Sequence, residues 1–390
     1  MTAGSRADPA VGPPVDEAER RARIVLGWVA EPGDPDACRL VRQFSARELL
    51  DRLAAGSLPS TKARDWAARA SSVSVDALRW AGEHAGARFV CPGDPEWPAG
   101  TTVLTTAGES VLGRRCDAPI GLWVRGESLA AAERSVAIVG ARASTPYGDH
   151  VAGELAGDLV RGGITVVSGG AFGIDAAAHR GALACGGRTV AVLASGVDRL
   201  YPPGNADLLE QVARQGTLVS EGAPGCVPSR SRFLVRNRLI AALTQGTVVV
   251  EAALRSGSLN TARWARDLGR LVMGVPGPVT SAASAGVHEL LRRPEALLVT
   301  DANEVLEHIS PIGEALAAHK AGPTVGRDEL DERSRQLLDA VPLHRSASAQ
   351  SIARAAGLDP EDARRRLDAL VEHGQVTGDG SRWRRSSRRE

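Results

Sequence analysis

Residues 135–179, SVAIVGARASTPYGDHVAGELAGDLVRGGITVVSGGAFGIDAAAH, decide the fold. Ser135–Val139 is a short apolar run rich in β-branched residues, the pattern of a strand buried on both faces of a parallel sheet. Gly140 ends it, Pro146 suits the first turn of a helix running to about Arg161, and Gly162-Gly163 stops that helix. Residues 164–167 repeat the strand, Ser168-Gly169-Gly170 repeat the turn, and a second helix carries Asp175 and His179. Strand, glycine turn and helix, twice in succession, open a doubly wound α/β sheet. Its turns gather at the carboxyl edge of the strands, where helix N-termini present N–H groups to anions.

The first turn is not a dinucleotide fingerprint. G-x-G-x-x-G needs bare backbone against the pyrophosphate, but Ala141 and Arg142 follow Gly140 and the next glycine is Gly148. A bound NAD or FAD is not expected, and no cofactor is. An arginine projecting from a strand end suits a phosphate held by side chain as well as by backbone. Totals narrow the class further. The 390 residues are 43% hydrophobic and carry a net charge of +1, so local clusters must supply any attraction for nucleic acid. No apolar run reaches the ~20 residues needed to span a bilayer, and the N-terminus lacks a signal pattern, so the expected location is the cytoplasm. The five cysteines are scattered with no C-x-x-C pair, which argues against a zinc site or a disulfide framework.

Working outward, strands are expected near 89–91 and 120–124, then at Thr189–Leu193, Thr217–Ser220, 247–250, 271–275 and 297–300. Helices near 204–214, 233–244, 258–268 and 286–292 alternate with the later strands, so the open sheet spans roughly 120–305. Before it, residues 19–87 show helical periodicity broken at Pro32-Gly33, Gly56 and Pro59. After it, 330–341, 348–356 and Pro360–Glu372 read as three helices followed by a hairpin at 375–383, the order of a winged helix-turn-helix. The third of these helices carries Arg364, Arg365 and Arg366, and the tail carries Arg382, Arg384, Arg385, Arg388 and Arg389. The chain therefore divides into a disordered tail at 1–18, a helical SAM or helix-hairpin-helix-like module at 19–100 and an extended Rossmann-like domain at 101–309. A linker at 310–327, a winged helix-turn-helix at 328–384 and a basic tail at 385–390 complete it.

A second informative stretch is 228–242, PSRSRFLVRNRLIAA. Arg230, Arg232, Arg236 and Arg238 fall within nine positions around Phe233 and Asn237. Guanidinium groups beside an aromatic ring suit a single strand, whose phosphates they pair with while the ring offers a stacking surface to any base. The alternative is a solvated charged face over a core phenylalanine. Topology favours the first, because the segment follows a strand ending at Ser220-Glu221 and so reaches the sheet edge that holds Arg142 and Ser168. Asp175 and His179, four apart, have no third metal ligand in view and read as a polar pair fixing the turn. Glu251, ahead of Ser256-Gly257-Ser258, reads as an acceptor anchoring that glycine loop. No nucleophile–base pair surrounds it and no Walker A sequence is present, so an enzyme is not expected.

Taken together, VGARASTPYG at 139–148, SGGAFGIDAAAH at 168–179, SGVDRLYPPGN at 195–205, FLVRNRLIAAL at 233–243 and VVVEAALRSGSLNTARWA at 248–265, followed by VPG at 275–277, resemble the DNA processing protein A family (DprA, also called Smf). The resemblance implies an extended Rossmann domain that binds incoming single-stranded DNA in natural transformation, forms a homodimer and helps load the RecA recombinase. Carried over by motif, Arg142 would hold a phosphate. Ser168, Gly169 and Gly173 would supply hydroxyl and backbone donors at the second helix. Arg230 matches a position that is often lysine in the family, and Arg232, Phe233, Arg236, Asn237 and Arg238 would line the same pocket. The pattern is departed from at Gly286-Val287-His288 and Arg293-Pro294, near the family's dimer surface. Two other classes compete with this reading: a nucleotide phosphoribohydrolase-like enzyme working through Glu251, and a winged-helix transcriptional regulator.

Overall fold

The computed structural model describes residues 15–105, 117–317 and 330–386, in two compact units that meet at residues 317/318. Most of the expected tail at 1–18, the later part of the linker, and Arg388 and Arg389 lie outside the described residues.

The first unit begins with four helices, α1 (Glu17–Val29), α2 (Pro35–Ala54), α3 (Thr61–Ser72) and α4 (Val75–His84). Asp16, Asp34, Ser60 and Ser74 cap them, each accepting from a first-turn N–H. Leu26, Val29, Leu49, Leu53 and Trp66 form their core. Helix α2 is broken at Ser45, whose φ is 68°, and the Glu19 carboxylate accepts from the freed N–H groups of Ala46 and Arg47. The apolar residues Leu40, Val41 and Phe44 thus precede the kink and Leu49, Leu50 and Leu53 follow it.

A nine-stranded sheet follows, built from β1 (Ala87–Val90), β2 (Leu122–Gly126), β3 (Ser135–Val139), helix α5 (Pro146–Arg161), β4 (Thr165–Ser168), α6 (Ile174–Ala184), β5 (Thr189–Leu193), α7 (Ala206–Gln215) and β6 (Thr217–Ser220). It continues with α8 (Arg230–Leu243), β7 (Gly246–Val249), α9 (Ser258–Asp267), β8 (Leu271–Gly274), α10 (Ala285–Leu291), β9 (Ala296–Leu298) and α11 (Ala302–Ile309). Strand order is β1-β2-β6-β5-β4-β3-β7-β8-β9, parallel from β6 to β9, with β1 and β2 antiparallel. The sheet starts earlier than the pattern near residue 120 suggests, because Ala87 pairs opposite Arg125 and brings 87–90 in as the outermost strand. Helix α11, capped by Asp301, was not anticipated and packs Val305 and Ile309 under the sheet.

Period-two alternation explains the two helical layers. Val136 and Ile138 of β3 face α5 and α6, where they meet Ala152, Leu155 and Ile174. Ala137 and Val139 face α8 and α9, where they meet Leu239, Ile240, Ala262 and Trp264. From β3 the chain winds outward to β6, then crosses back to place β7 on the other flank of β3. The carboxyl ends of β3 and β7 are therefore the topological switch point, where open α/β sheets leave a crevice. No described helix is long and apolar enough to cross a membrane.

The second unit packs α12 (Glu332–Ala340), β10 (Ala347–Ser348), α13 (Ala349–Ala356), α14 (Pro360–Glu372), β11 (Val376–Gly378) and β12 (Arg382–Arg385) around Leu337, Leu338, Ile352, Leu367, Leu370 and Trp383. Its strands form an antiparallel sheet ordered β10-β12-β11. Ser348 accepts from the Ser351 N–H, and Gly357 ends α13 at a φ of 65°.

Candidate nucleic-acid interface

A cleft of about 560 Å³ opens at the switch point. Gly140–Ala143 after β3 form one wall, Phe233, Arg236 and Asn237 of α8 a second, and Arg255–Ser258 ahead of α9 a third. The convergence follows from topology, since all three segments leave the carboxyl edge of the sheet or begin a helix there.

Phe233 sits at the centre, half-buried, with its ring 5.7 Å from that of Tyr201. The exposed Arg142 guanidinium lies 4.9 Å from the ring centroid and that of Arg236 5.9 Å, so the aromatic is held between cations. Arg236 is only 6% exposed and donates to the carbonyls of Gly169, at 2.8 Å, and Val192. Its Nε–H has no acceptor among the described residues. Burial, opposed by the nearby Asp175 and reinforced by Arg142, pushes its pKa down to about 10, which still leaves it charged at neutral pH. Asn237 donates to the Gly257 carbonyl at 3.3 Å and to Asn260 Oδ1 at 3.2 Å, tying α8 to α9.

Other members of the expected site are engaged elsewhere. Arg238 is fully buried on the far side of α8, donating to both Glu221 oxygens (2.9 and 2.7 Å) and to the Asp117 carbonyl (2.9 Å). Two residues from Arg236 on a helix, it points about 200° away and cannot share the cleft. Arg232 is held bidentately by Glu31, at 3.0 and 2.9 Å, and also donates to the Val227 carbonyl, so its donors join α8 to the loop after α1. Arg230 is exposed at the start of α8 and lies outside the cleft lining.

The second turn also differs from expectation. The Ser168 hydroxyl is buried and donates to the Ile138 carbonyl at 2.6 Å. The N–H groups of Gly169 and Ala171 donate to Asp175 Oδ2 at 3.2 and 3.3 Å, so that carboxylate occupies the anion position at α6. Gly173, at φ 74°, lies under the first turn, where a Cβ would come within 2.7 Å of the Arg142 carbonyl. A glycine there allows the two turns to approach this closely. Burial raises the Asp175 pKa, against the lowering effects of Arg236 and the donors around it. His179 does not join Asp175 at the turn. Its Nδ1 pairs with the Thr189 hydroxyl at 2.7 Å, and burial, with Arg236 and Arg180, pushes its pKa down to about 3, leaving it neutral.

Glu251, 1% exposed, anchors the first turn rather than the glycine loop that follows it. It accepts from the Thr145 N–H at 2.9 Å and the Thr145 hydroxyl at 2.6 Å. No group of three metal-ligating side chains occurs among the described residues. Tyr201 and Arg255, missed from sequence, complete the surroundings of Phe233 and the third wall. The Ser-Gly-Ser run next to Arg255 was the available signal.

The model of the DNA recombination-mediator protein A family matches residues 88–310. A Mycobacterium tuberculosis relative named for DNA processing protein DprA is 44% identical over 368 residues, 93% of this chain and 94% of the relative. Escherichia coli protein Smf is 42% identical over 194 residues, 50% of this chain and 52% of the relative. The X-ray structure of DNA processing protein A from Streptococcus pneumoniae superposes with a TM-score of 0.62 at 28% identity, covering 75% of this chain and 97% of that one.

Proposed function

Because the chain belongs to the DNA recombination-mediator protein A family, we propose that it binds single-stranded DNA at the switch-point cleft and acts as a binding protein rather than an enzyme. The observation that carries this reading is Phe233, an accessible ring flanked by Tyr201 and by the guanidinium groups of Arg142 and Arg236. A base can stack on such a ring whatever its identity, while Arg142 pairs with the backbone. Glu251 is spoken for by Thr145, which argues against its working on a ribose.

Protection of incoming strands and delivery to the RecA recombinase are the cellular roles that fit, with a homodimer in the cytoplasm as the acting form. The second unit has the helix and hairpin order of a winged helix. Arg364 and Arg384 are among the exposed cations it offers to duplex, whereas Arg365 pairs with Asp362 and Arg366 is spent on Asp331, Asp362 and Ser334.

A mobility assay of the full chain with matched single-stranded and duplex DNA tests the proposal. Single strands should be preferred. With about four phosphates engaged, log K should fall with log salt at a slope near roughly −3, and Arg142→Ala should reduce that slope by about 0.7. Preference for one duplex sequence, lost on removing the second unit, would point to a transcriptional regulator instead.

A further inference from the structure

Helix α9 is ten residues long and begins at the floor of the cleft. Its N-cap, Gly257, has no side chain with which to satisfy the first turn. The N–H groups there carry the positive end of the helix dipole. The Ser256 hydroxyl accepts weakly from the Ser258 N–H at 3.3 Å and pairs with the Ser258 hydroxyl at 2.7 Å, leaving two hydroxyls at the mouth of the turn. Asn237 fixes the loop by donating to the Gly257 carbonyl.

A second observation points to a ligand. Arg236, lining the same cleft, is more than nine-tenths buried, yet its Nε–H has no acceptor among the described residues, and its hydrogen-bonded partners are neutral carbonyls. A buried charged donor left unmatched is costly, and an anion in the cleft would match it. Arg142 stands on the opposite wall. The two carboxylates nearby are engaged, Asp175 with Gly169 and Ala171, and Glu251 with Thr145. An anion thus meets donors from three directions; Asp175 partly balances Arg236, and the further positive charge of the cleft comes from Arg142 and Arg255.

We propose that residues 256–258 and the first turn of α9 seat the phosphate of a nucleoside 5′-phosphate, with Arg236 behind it, Arg142 across from it and the base on Phe233. The proposal rests on reading the cleft as a nucleotide site and adds the kind of phosphate it takes. An internal phosphodiester offers two free oxygens and one negative charge. A terminal monoester offers three oxygens and nearly two charges at neutral pH, which suits donors converging from three sides. A cleft of about 560 Å³ has room for such a terminal nucleotide, with the rest of a strand running out of it. Such a group can come from a free nucleotide or from the 5′-phosphorylated end of a strand.

The test uses the full chain and 3′-labelled oligonucleotides of one sequence, bearing either a 5′-phosphate or a 5′-hydroxyl, with dTMP and thymidine as competitors. The phosphorylated strand should bind at least about ten-fold more tightly, the equivalent of one charge-assisted hydrogen bond. Displacement by dTMP but not by thymidine would show that the free nucleotide is accepted too. Gly257→Asp places a carboxylate in the seat. A Cβ at Gly257 meets nothing within 4 Å and Asp is a favoured N-cap, so this variant should fold and lose the discrimination. Equal affinity for both strands with no displacement by dTMP overturns the proposal, as does a preference that survives Gly257→Asp. If both strands still bind and both weaken in Phe233→Ala, single-strand binding stands without the 5′-phosphate seat. If neither strand binds, both readings fall.

Discussion

Arg236 and Arg238 lie two residues apart on one helix and are both buried, yet they inhabit different chemistry. Around Arg238 every interaction is closed. Glu221 grips it through both oxygens, the Asp117 carbonyl takes its Nε–H, and the backbone of Gly33 lies against its guanidinium, within 3.0 Å of where a Cβ would stand. Around Arg236 the interactions are unfinished, with neutral carbonyls as its hydrogen-bond acceptors, Asp175 near but not bonded to it, and an open cleft alongside. The contrast teaches that a dense run of arginines is not one surface. The partner supplied by the rest of the fold decides whether each cation is mortar or a hand held out to a ligand.

The contrast can be broken most decisively at its closed end. Arg238→Ala should destabilise the protein by about 3–5 kcal/mol, because it strands Glu221, whose side chain is 9% exposed. Urea denaturation reads the loss, and Arg238→Met combined with Glu221→Leu should recover most of it. A single variant as stable as the parent would mean that the pair is not structural. At the open end, Phe233→Ala should weaken single-strand binding by about 1–3 kcal/mol while the chain remains folded. Fluorescence anisotropy measures this, and an unchanged affinity would remove the ring from the interface. The smallest effect is expected at Arg232, whose pairing with the half-exposed Glu31 is worth no more than about 1 kcal/mol. Arg232→Gln should leave DNA affinity nearly untouched, and a loss as large as that of Phe233→Ala would return Arg232 to the ligand.

The parallel core was readable from sequence because its strands are short apolar runs punctuated by glycine or small polar residues. Thr189–Leu193 and Thr217–Ser220 lie where the pattern puts them. Pro146 and Gly162 likewise mark the two ends of α5. The outer strand 87–90 was legible as a strand near 89–91 but not as part of the sheet, since an antiparallel partner 32 to 38 residues away leaves no local trace. In the site, Arg142, Phe233, Arg236 and Asn237 do line one cleft, because strand ends and helix starts share an edge. Ser168, Gly169, Arg232 and Arg238 could not be sorted the same way. Their donors are claimed by Ile138, Asp175, Glu31 and Glu221, and each pairing depends on tertiary approach. The role of Glu251 was partly legible: a carboxylate at a strand end does anchor a turn, but the turn after β3 rather than its own.

Strand β1 has a practical consequence. The chain that leaves the four helices hydrogen-bonds immediately to β2 and so closes one margin of the sheet. A fragment engineered to begin at residue 101 would strip that margin and bare the β2 backbone to any passing strand, inviting self-association. A cloning boundary ahead of Ala87 is the first requirement for handling the sheet as a separate, well-behaved piece.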